Sequence, residues 1–135
     1  MTKFQIDSLH GVVSPVATPV NKDETVDEGG LRRLVNFQLE RGVHGLFVLG
    51  GTGEFFCFPT REKIRAIETV VDEVNGRVPV VAGVTDLSTR RAIENSHIAQ
   101  EAGVDFITSL PPFFFPLGQD TMSRFYTSLA GESDL

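Results

Sequence analysis

The stretch GLFVLGGTGEFF, residues 45–56, contains the pattern that decides the fold. Residues 45–49 are apolar throughout, which is typical of a strand buried on both faces of a parallel sheet. Three glycines and a threonine follow, where the strand should turn into a helix. Gly50 and Gly51 allow the backbone to approach a ligand closely, and Thr52 adds a hydroxyl, so the loop suits a carboxylate or a phosphate. A tight strand-to-helix connection without a ligand remains the alternative interpretation.

Strands and helices alternate along the rest of the chain. Short β-branched and apolar runs predict strands over residues 11–16, 45–49, 78–82 and 105–110. Apolar or small residues at helical spacing predict a helix after each strand, with the stripes Leu31, Leu34, Val35 and Leu39; Ile64, Ile67, Val71 and Val74; Ala92, Ser96 and Ala99; and Met122, Phe125, Tyr126 and Leu129. Asp27 and Thr60 are the predicted caps of the first two helices, and Gly42 is the predicted end of the first.

Four βα units in succession imply a parallel sheet and an α/β fold. They correspond to the N-terminal half of a (β/α)8 TIM barrel, which typically needs about 250 residues. We therefore predict a single domain over residues 1–135 that ends before a fifth strand. An open flavodoxin-like sheet is the alternative, although it would need a fifth strand for its usual order.

Composition excludes several classes of function. The net charge is −6, which argues against nucleic acid or an anionic membrane as the main partner, because both require a basic face. Cys57 is the only cysteine, so neither an intrachain disulfide nor a cysteine-based zinc cluster is available, and we expect it to be a small buried apolar residue. The sequence shows neither a signal peptide nor an apolar run of the roughly 20 residues that span a bilayer. These features predict a cytoplasmic protein.

Four short motifs carry a resemblance to a known family. They are Thr18-Pro19, residues 50–54 (GGTGE), residues 81–83 (VAG) and residues 111–114 (PPFF), each placed after or at the end of a predicted strand. In this order and spacing they resemble the dihydrodipicolinate synthase/N-acetylneuraminate lyase family from about residue 10 onward. The resemblance implies a (β/α)8 barrel, commonly tetrameric, that needs no cofactor. It also implies a Schiff base between a lysine and the ketone of pyruvate or another 2-keto acid.

The resemblance also implies a substrate site. The backbone N–H groups of Gly51 and Thr52, with the Thr52 hydroxyl, would hold the carboxylate of the keto acid, and Gly50, Thr18 and Phe114 complete the implied contacts. The family usually carries Thr or Ser at the position of Gly51, and many lysine-biosynthesis members carry tyrosine at that of Phe114. Both hydroxyls are missing here. These departures favour 5-dehydro-4-deoxyglucarate dehydratase, or another lyase of 2-keto-3-deoxy sugar acids, over dihydrodipicolinate synthase itself.

The catalytic lysine implied by the resemblance lies on the sixth strand, and a catalytic tyrosine lies on the fifth, both beyond this chain. Lys3, Lys22 and Lys63 are the lysines present, and we expect each to be a solvated surface residue. We therefore assign no catalytic residue and expect the chain alone to be inactive. The expected partners are a small 2-keto acid and either further copies of the chain or a complementary C-terminal half. The alternatives are a non-catalytic, self-associating half-barrel and an enzyme with an unrecognised nucleophile.

The remaining candidates favour structural roles. His44 should lie at the end of the sheet opposite the ligand loops, and His97 within a helix. Without paired carboxylates at ligand spacing, we expect no metal site. Arg90 and Arg91 should form a solvated helix face. Three successive phenylalanines, residues 113–115, should be buried against the site or a neighbouring subunit, and in an isolated half they would form an exposed apolar patch.

Overall fold

The computed structural model describes residues 4–133, in which four strands alternate with four helices. In chain order these are β1 (Val13–Pro15), α1 (Glu28–Glu40), β2 (Gly45–Val48), α2 (Thr60–Val74), β3 (Val80–Gly83), α3 (Thr89–Glu101), β4 (Phe106–Thr108) and α4 (Gln119–Gly131). Short 3-10 turns lie at Ile6–Ser8 and Phe55–Cys57. The predicted alternation is confirmed, and no helix among these residues is long and apolar enough to cross a membrane.

The strands form one parallel sheet in the order β1-β2-β3-β4. In its register Leu46 lies opposite both Ser14 and Val80, and Ala82 lies opposite Ile107. Because sheet order equals chain order, the arrangement matches successive units of a barrel. The flavodoxin-like alternative is wrong, since its second strand would lie outside the first. The structure is half of a (β/α)8 barrel.

The core lies between the sheet and its helices. Leu46 and Val48 of β2 and Ala82 of β3 are completely buried, as are Leu31 and Val35 of α1. The sheet and α1 therefore bury apolar side chains together, and burial of this kind is the main source of stability in a layered fold.

The buried faces of the later helices differ partly from the predicted stripes. In α2, Ile64 and Val71 are only half-buried, whereas Ala66 and Val70 are completely buried. The buried face of α2 is therefore centred on Ala66, Ile67, Val70 and Val74. The small-residue face of α3 is confirmed, because Ala92, Ser96 and Ala99 are all buried. Tyr126 of α4 is exposed, because α4 packs mainly against α3.

The ends of α1 follow the predicted capping. The Asp27 carboxylate accepts a hydrogen bond from the Gly30 N–H at 2.9 Å, and Gly42 takes the left-handed conformation with φ of 77°. The predicted cap of α2 is wrong. Thr60 is the first helical residue, and the extended residue Pro59 occupies the N-cap position without a side-chain hydrogen bond. Proline leaves its own nitrogen without a donor, which a helix start tolerates.

Asp105 joins β4 to the start of β3. Its buried carboxylate accepts a hydrogen bond from the Val80 N–H at 2.9 Å, and its own N–H donates to the Val80 carbonyl at 3.0 Å. Both strands therefore begin at a fixed relative height.

At their other ends, β2 and β3 approach each other unusually closely. Leu49, directly after β2, has φ of 55°, a left-handed conformation that is uncommon for a leucine. Its carbonyl oxygen would lie 2.1 Å from a Cβ placed on Gly83. Only glycine fits at position 83, and this contact aligns the two loops that follow the strands.

We predict that Gly83→Ala lowers the free energy of unfolding by about 2–3 kcal/mol, because the added methyl group forces the strand ends apart. The measurement is chemical denaturation with a circular dichroism readout. Gly131→Ala is the matched control, since nothing lies within 4 Å of its Cβ position and it ends a helix. Equal effects of the two substitutions would contradict the steric interpretation.

Candidate functional site

The candidate site is a small cavity of about 170 Å³ at the carboxyl ends of the strands. Its walls include Phe47, Gly50 and Gly51 of β2 and the following loop, Gly83 and Thr85 of β3 and its loop, and Ser109 after β4. Ligands of parallel α/β proteins bind at this end of the sheet. The two glycines that the sequence analysis assigned to the site therefore lie where a ligand is expected.

The glycines of the loop after β2 have different physical roles. A Cβ on Gly50 would lie 2.6 Å from the Phe47 ring, and a Cβ on Gly53 would lie 3.0 Å from the Val16 carbonyl oxygen. Both positions are therefore restricted by packing. A Cβ on Gly51 would meet nothing within 4 Å, so this residue leaves open space at the cavity wall.

Thr18, Thr52 and Phe114 lie outside the cavity wall. Thr18 has a supporting position: its hydroxyl donates a hydrogen bond to the Gly53 carbonyl at 2.8 Å. This bond joins the loop after β1 to the loop after β2, residues 49–54, which we call the glycine loop. Thr52 is exposed within the glycine loop, next to Gly51.

Hydroxyl groups and backbone atoms supply the polarity of the cavity, and the residues that line it carry no formal charge. The Thr85 hydroxyl is buried and accepts a hydrogen bond from the Leu110 N–H at 2.9 Å. The Ser109 hydroxyl donates to the Leu110 carbonyl at 2.8 Å. An anion bound here would depend on oriented N–H groups and hydroxyls, because no cationic side chain forms part of the wall.

Asp86 is the buried acid beside the cavity that the sequence analysis missed. Its Oδ1 accepts a hydrogen bond from the Leu87 N–H at 2.7 Å and forms an ion pair with Arg91 Nε at 2.7 Å. Its Oδ2 lies 3.2 Å from Asn95 Nδ2 and 3.5 Å from Lys63 Nζ. The only signal in the sequence was its position in the loop that follows the predicted strand over residues 78–82.

The protonation of Asp86 reflects two opposing effects. Burial alone raises the pKa of a carboxyl group, but here the hydrogen bonds from Leu87 and Asn95 and the charges of Lys63 and Arg91 outweigh it. The pKa of Asp86 therefore lies below its ordinary value, and the group is a carboxylate at neutral pH.

This cluster corrects the expected position of one basic residue. Lys63 is not a solvated surface residue, because its side chain is only 12% exposed and is paired with Asp86. Arg90 and Arg91 are both exposed as predicted; Arg91 pairs with Asp86, and Arg90 pairs with Glu94 at 3.1 Å. Lys22 is exposed in the loop after β1. The remaining lysine, Lys3, lies outside the described residues.

Other candidates have the structural positions expected of them, with one exception. His44 Nδ1 accepts a hydrogen bond from the Val12 N–H at 3.1 Å, beside the start of β1 and away from the cavity. His97 lies on α3, with Nε2 at 2.9 Å from the Glu132 carbonyl oxygen. Cys57 is exposed, which contradicts the prediction of a buried residue, because the 3-10 turn directs Phe55 inward and leaves Cys57 outside.

The three phenylalanines after β4 are not buried within this half-barrel. Phe114 is 83% exposed and Phe115 is 73% exposed, while Phe113 makes an edge contact with Phe55 at a centroid distance of 5.9 Å. Phe114 has φ of 90°, which turns this segment outward. The structure therefore matches the exposed patch expected for an isolated half.

We predict that Thr18→Val lowers the free energy of unfolding by about 1 kcal/mol, because the Gly53 carbonyl loses its hydrogen-bond donor. The measurement is urea denaturation. Thr127→Val, an exposed substitution on α4, serves as the control and should change the free energy by less than about 0.5 kcal/mol. If Thr18→Val behaved like the control, the hydrogen bond would contribute nothing to the loop.

We predict that Asp86→Asn destabilises the protein by about 2 kcal/mol at neutral pH, because charged hydrogen bonds are lost. The Asp86 pKa is lowered in the folded state, so its stabilisation is present above the unfolded pKa and disappears as the pH falls through the folded pKa. The difference between wild type and variant should therefore shrink below about pH 4. Denaturation from pH 3 to 7 tests this.

The control for the pH experiment is Asp72→Asn, which removes an exposed partner of Arg32. Exposed ion pairs contribute little, so its effect should stay below about 1 kcal/mol at every pH. A pH-independent effect of Asp86→Asn would mean that the charge of Asp86 is not what stabilises the loop.

The sequence is similar to a known protein family and to individual members of it. Residues 8–135 match the model of the Dihydrodipicolinate synthetase family. The chain is 41% identical over 128 residues to a 4-hydroxy-tetrahydrodipicolinate synthase of Methanopyrus kandleri, covering 94% of this chain and 42% of that protein. It is 30% identical over 127 residues to an N-acetylneuraminate lyase of Escherichia fergusonii, with coverage of 94% and 43%.

Solved structures show the same relationship. YagE, a prophage protein of the dihydrodipicolinic acid synthase family from E. coli K12, was solved in complex with pyruvate. It matches this chain with a TM-score of 0.90 and 31% identity, over 94% of this chain and 43% of that protein. The chain thus spans less than half the length of the relatives it matches.

Proposed function

Because the chain belongs to the dihydrodipicolinate synthetase family, we propose that it is the carboxylate-binding half of a lyase that acts on a 2-keto acid through a Schiff base. The observation that carries this proposal is the position of Gly50 and Gly51 in the wall of a cavity at the carboxyl ends of the strands. In this proposal residues 1–135 act as one folding unit that supplies the binding loop in the cytoplasm.

The geometry of the loop suits a carboxylate. Successive N–H groups in a glycine-rich turn form a concave site with partial positive charge. In our proposal the N–H groups of Gly51 and Thr52 and the Thr52 hydroxyl bind the carboxylate oxygens. Thr18 supports the loop through the Gly53 carbonyl. Phe114, which lies outside the cavity wall, is proposed to contact the ligand from the loop after β4.

The two lysines within the described residues, Lys22 and Lys63, do not suit the Schiff-base step. In that step a neutral amine adds to the ketone carbon, water leaves, and the protonated imine withdraws electrons from the bond that breaks. Lys63 forms an ion pair with Asp86, and Lys22 is exposed in the loop after β1. We propose that a lysine on the complementary half of the barrel performs this step, and that the chain alone is inactive.

The open space beside Gly51 supports a substrate larger than pyruvate. A threonine or serine at this position would occupy that space with its side chain, whereas Gly51 leaves it to the ligand. The nearby Ser109 hydroxyl is suited to a polyhydroxylated carbon chain. We therefore propose a 2-keto-3-deoxy sugar acid, and hence the dehydratase or sugar acid lyase branch of the family.

A second candidate function is a self-associating, non-catalytic half-barrel. It is favoured by the exposure of Phe114 and Phe115 and by the positions of β1 and β4 at the two edges of the sheet. Unpaired strand edges bind other strands readily, and two copies would cover each other's edges.

We predict that pyruvate shifts the amide NMR signals of Gly51 and Thr52 with a Kd of about 1–10 mM, weak because only part of the site is present. Thr52→Val should weaken binding about 3–10-fold through loss of one hydrogen bond, while Thr127→Val should leave it unchanged. Borohydride added to the same sample should trap no adduct, as judged by mass spectrometry.

Two other results of this experiment would contradict the proposed function. A pyruvate-sized adduct on Lys22 or Lys63 would show that the chain has its own nucleophile. No shift of the glycine-loop signals, combined with a dimeric mass by light scattering, would support the self-associating half-barrel instead.

A further inference from the structure

We propose that the first turn of α2 is the positioning element of the candidate site, with Glu62 and Lys63 as its positioning residues. Glu62 fixes the loop after β1, and Lys63 fixes the loop after β3 through Asp86. This inference rests on the proposed function in one respect: the cavity is taken to be the ligand site. The contacts of Glu62 and Lys63 do not depend on a ligand.

Glu62 contacts the loop after β1. It is only 2% exposed, and its Oε2 accepts a hydrogen bond from the Val26 N–H at 2.9 Å. Val26 forms a short antiparallel bridge with Val20, so this bond fixes the base of the loop that carries Thr18. Arg65 Nη1 lies 3.3 Å from the same carboxylate and partly balances its charge.

Lys63 is the next residue and contacts the loop on the other side. Its ammonium group pairs with Asp86, whose backbone directly follows Thr85 of the cavity wall. The Thr85 hydroxyl in turn accepts the Leu110 N–H of the loop after β4. A single chain of contacts therefore runs from α2 through Asp86 and Thr85 to the opposite wall of the cavity.

The alternative is that these charges only stabilise the fold. Buried ion pairs are poor stabilisers, because desolvation offsets most of their attraction, and apolar residues of similar size often replace them without loss. Their hydrogen bonds are directional, however, and fix the orientation of backbone groups. Here the Glu62 hydrogen bond ends on Val26 of the loop that carries Thr18, and the Lys63 ion pair ends on Asp86, the residue after Thr85 of the cavity wall.

The test compares Lys63→Met and Asp86→Asn with Asp105→Asn. All three remove a charge or a charged partner, but Asp105 lies at the opposite end of β3 and is buried to the same degree as Asp86. Amide hydrogen exchange of Leu110 and Leu87 is measured under conditions where all variants are folded. Exchange through local opening at these two amides reports how well the two loops are ordered, and it does not depend on the free energy of global unfolding.

We expect Lys63→Met and Asp86→Asn to raise the exchange rate of Leu110 at least about 10-fold and to weaken pyruvate binding at least about 5-fold. Asp105→Asn should lower stability yet change both quantities less than about 2-fold. Glu62→Gln, which keeps an acceptor for the Val26 N–H, should preserve the exchange rate at Val26, whereas Glu62→Leu should raise it.

Two results would overturn the inference. One is an unchanged Leu110 exchange rate in both Lys63→Met and Asp86→Asn; the other is an equal rise in Asp105→Asn. If the wild type binds no pyruvate, the proposed function fails, but the exchange rates still decide whether α2 positions the loops.

Discussion

The close approach of the Leu49 carbonyl to the Cα of Gly83 is the constraint on which the ligand end of the structure depends. It brings the ends of β2 and β3 together and requires a left-handed leucine on one strand and a glycine on the other. Backbone strain of this kind persists only where surrounding contacts hold it in place. Here the buried strands supply those contacts, and the glycine loop begins at the strained residue itself.

The cavity wall carries no charged side chain, and this affects how the proposed anionic ligand would bind. A lysine in the wall would pair with the carboxylate of the ligand and lose its ability to act as a neutral nucleophile. Binding through N–H groups and hydroxyls avoids this competition. Lys63 forms an ion pair with Asp86, so its charge is directed to the loop after β3 and not to the ligand. In the proposed function, binding belongs to this half of the barrel and covalent chemistry to the other.

The sequence predicted the fold well because local patterns determine it. Apolar strands, the small-residue face of α3 and the Asp27 cap all depend on residues within one or two turns of each other. The buried acids were not predictable in the same way, since Glu62 meets its partner Val26 36 positions away. Charged residues are expected at the surface, and nothing in their spacing shows that long-range hydrogen bonds compensate for their burial.

The candidate site was predictable in its position but not in its internal geometry. The glycine loop was recognisable because glycines after a buried strand indicate close backbone approach. The supporting role of Thr18 and the exposure of Cys57 depend on how the loops fold over one another. Tertiary contacts of this kind leave no periodic trace in the sequence.

The coincidence of sheet order with chain order has a consequence for how the protein acquires its structure. Each new strand docks on the strand made just before it, so no unit must wait for a distant segment. Each pairing of neighbouring strands closes a segment of about 25–35 residues, and the entropy cost of closing such a segment rises only slowly with its length. A chain of this design can be ordered progressively during synthesis, one βα unit after another.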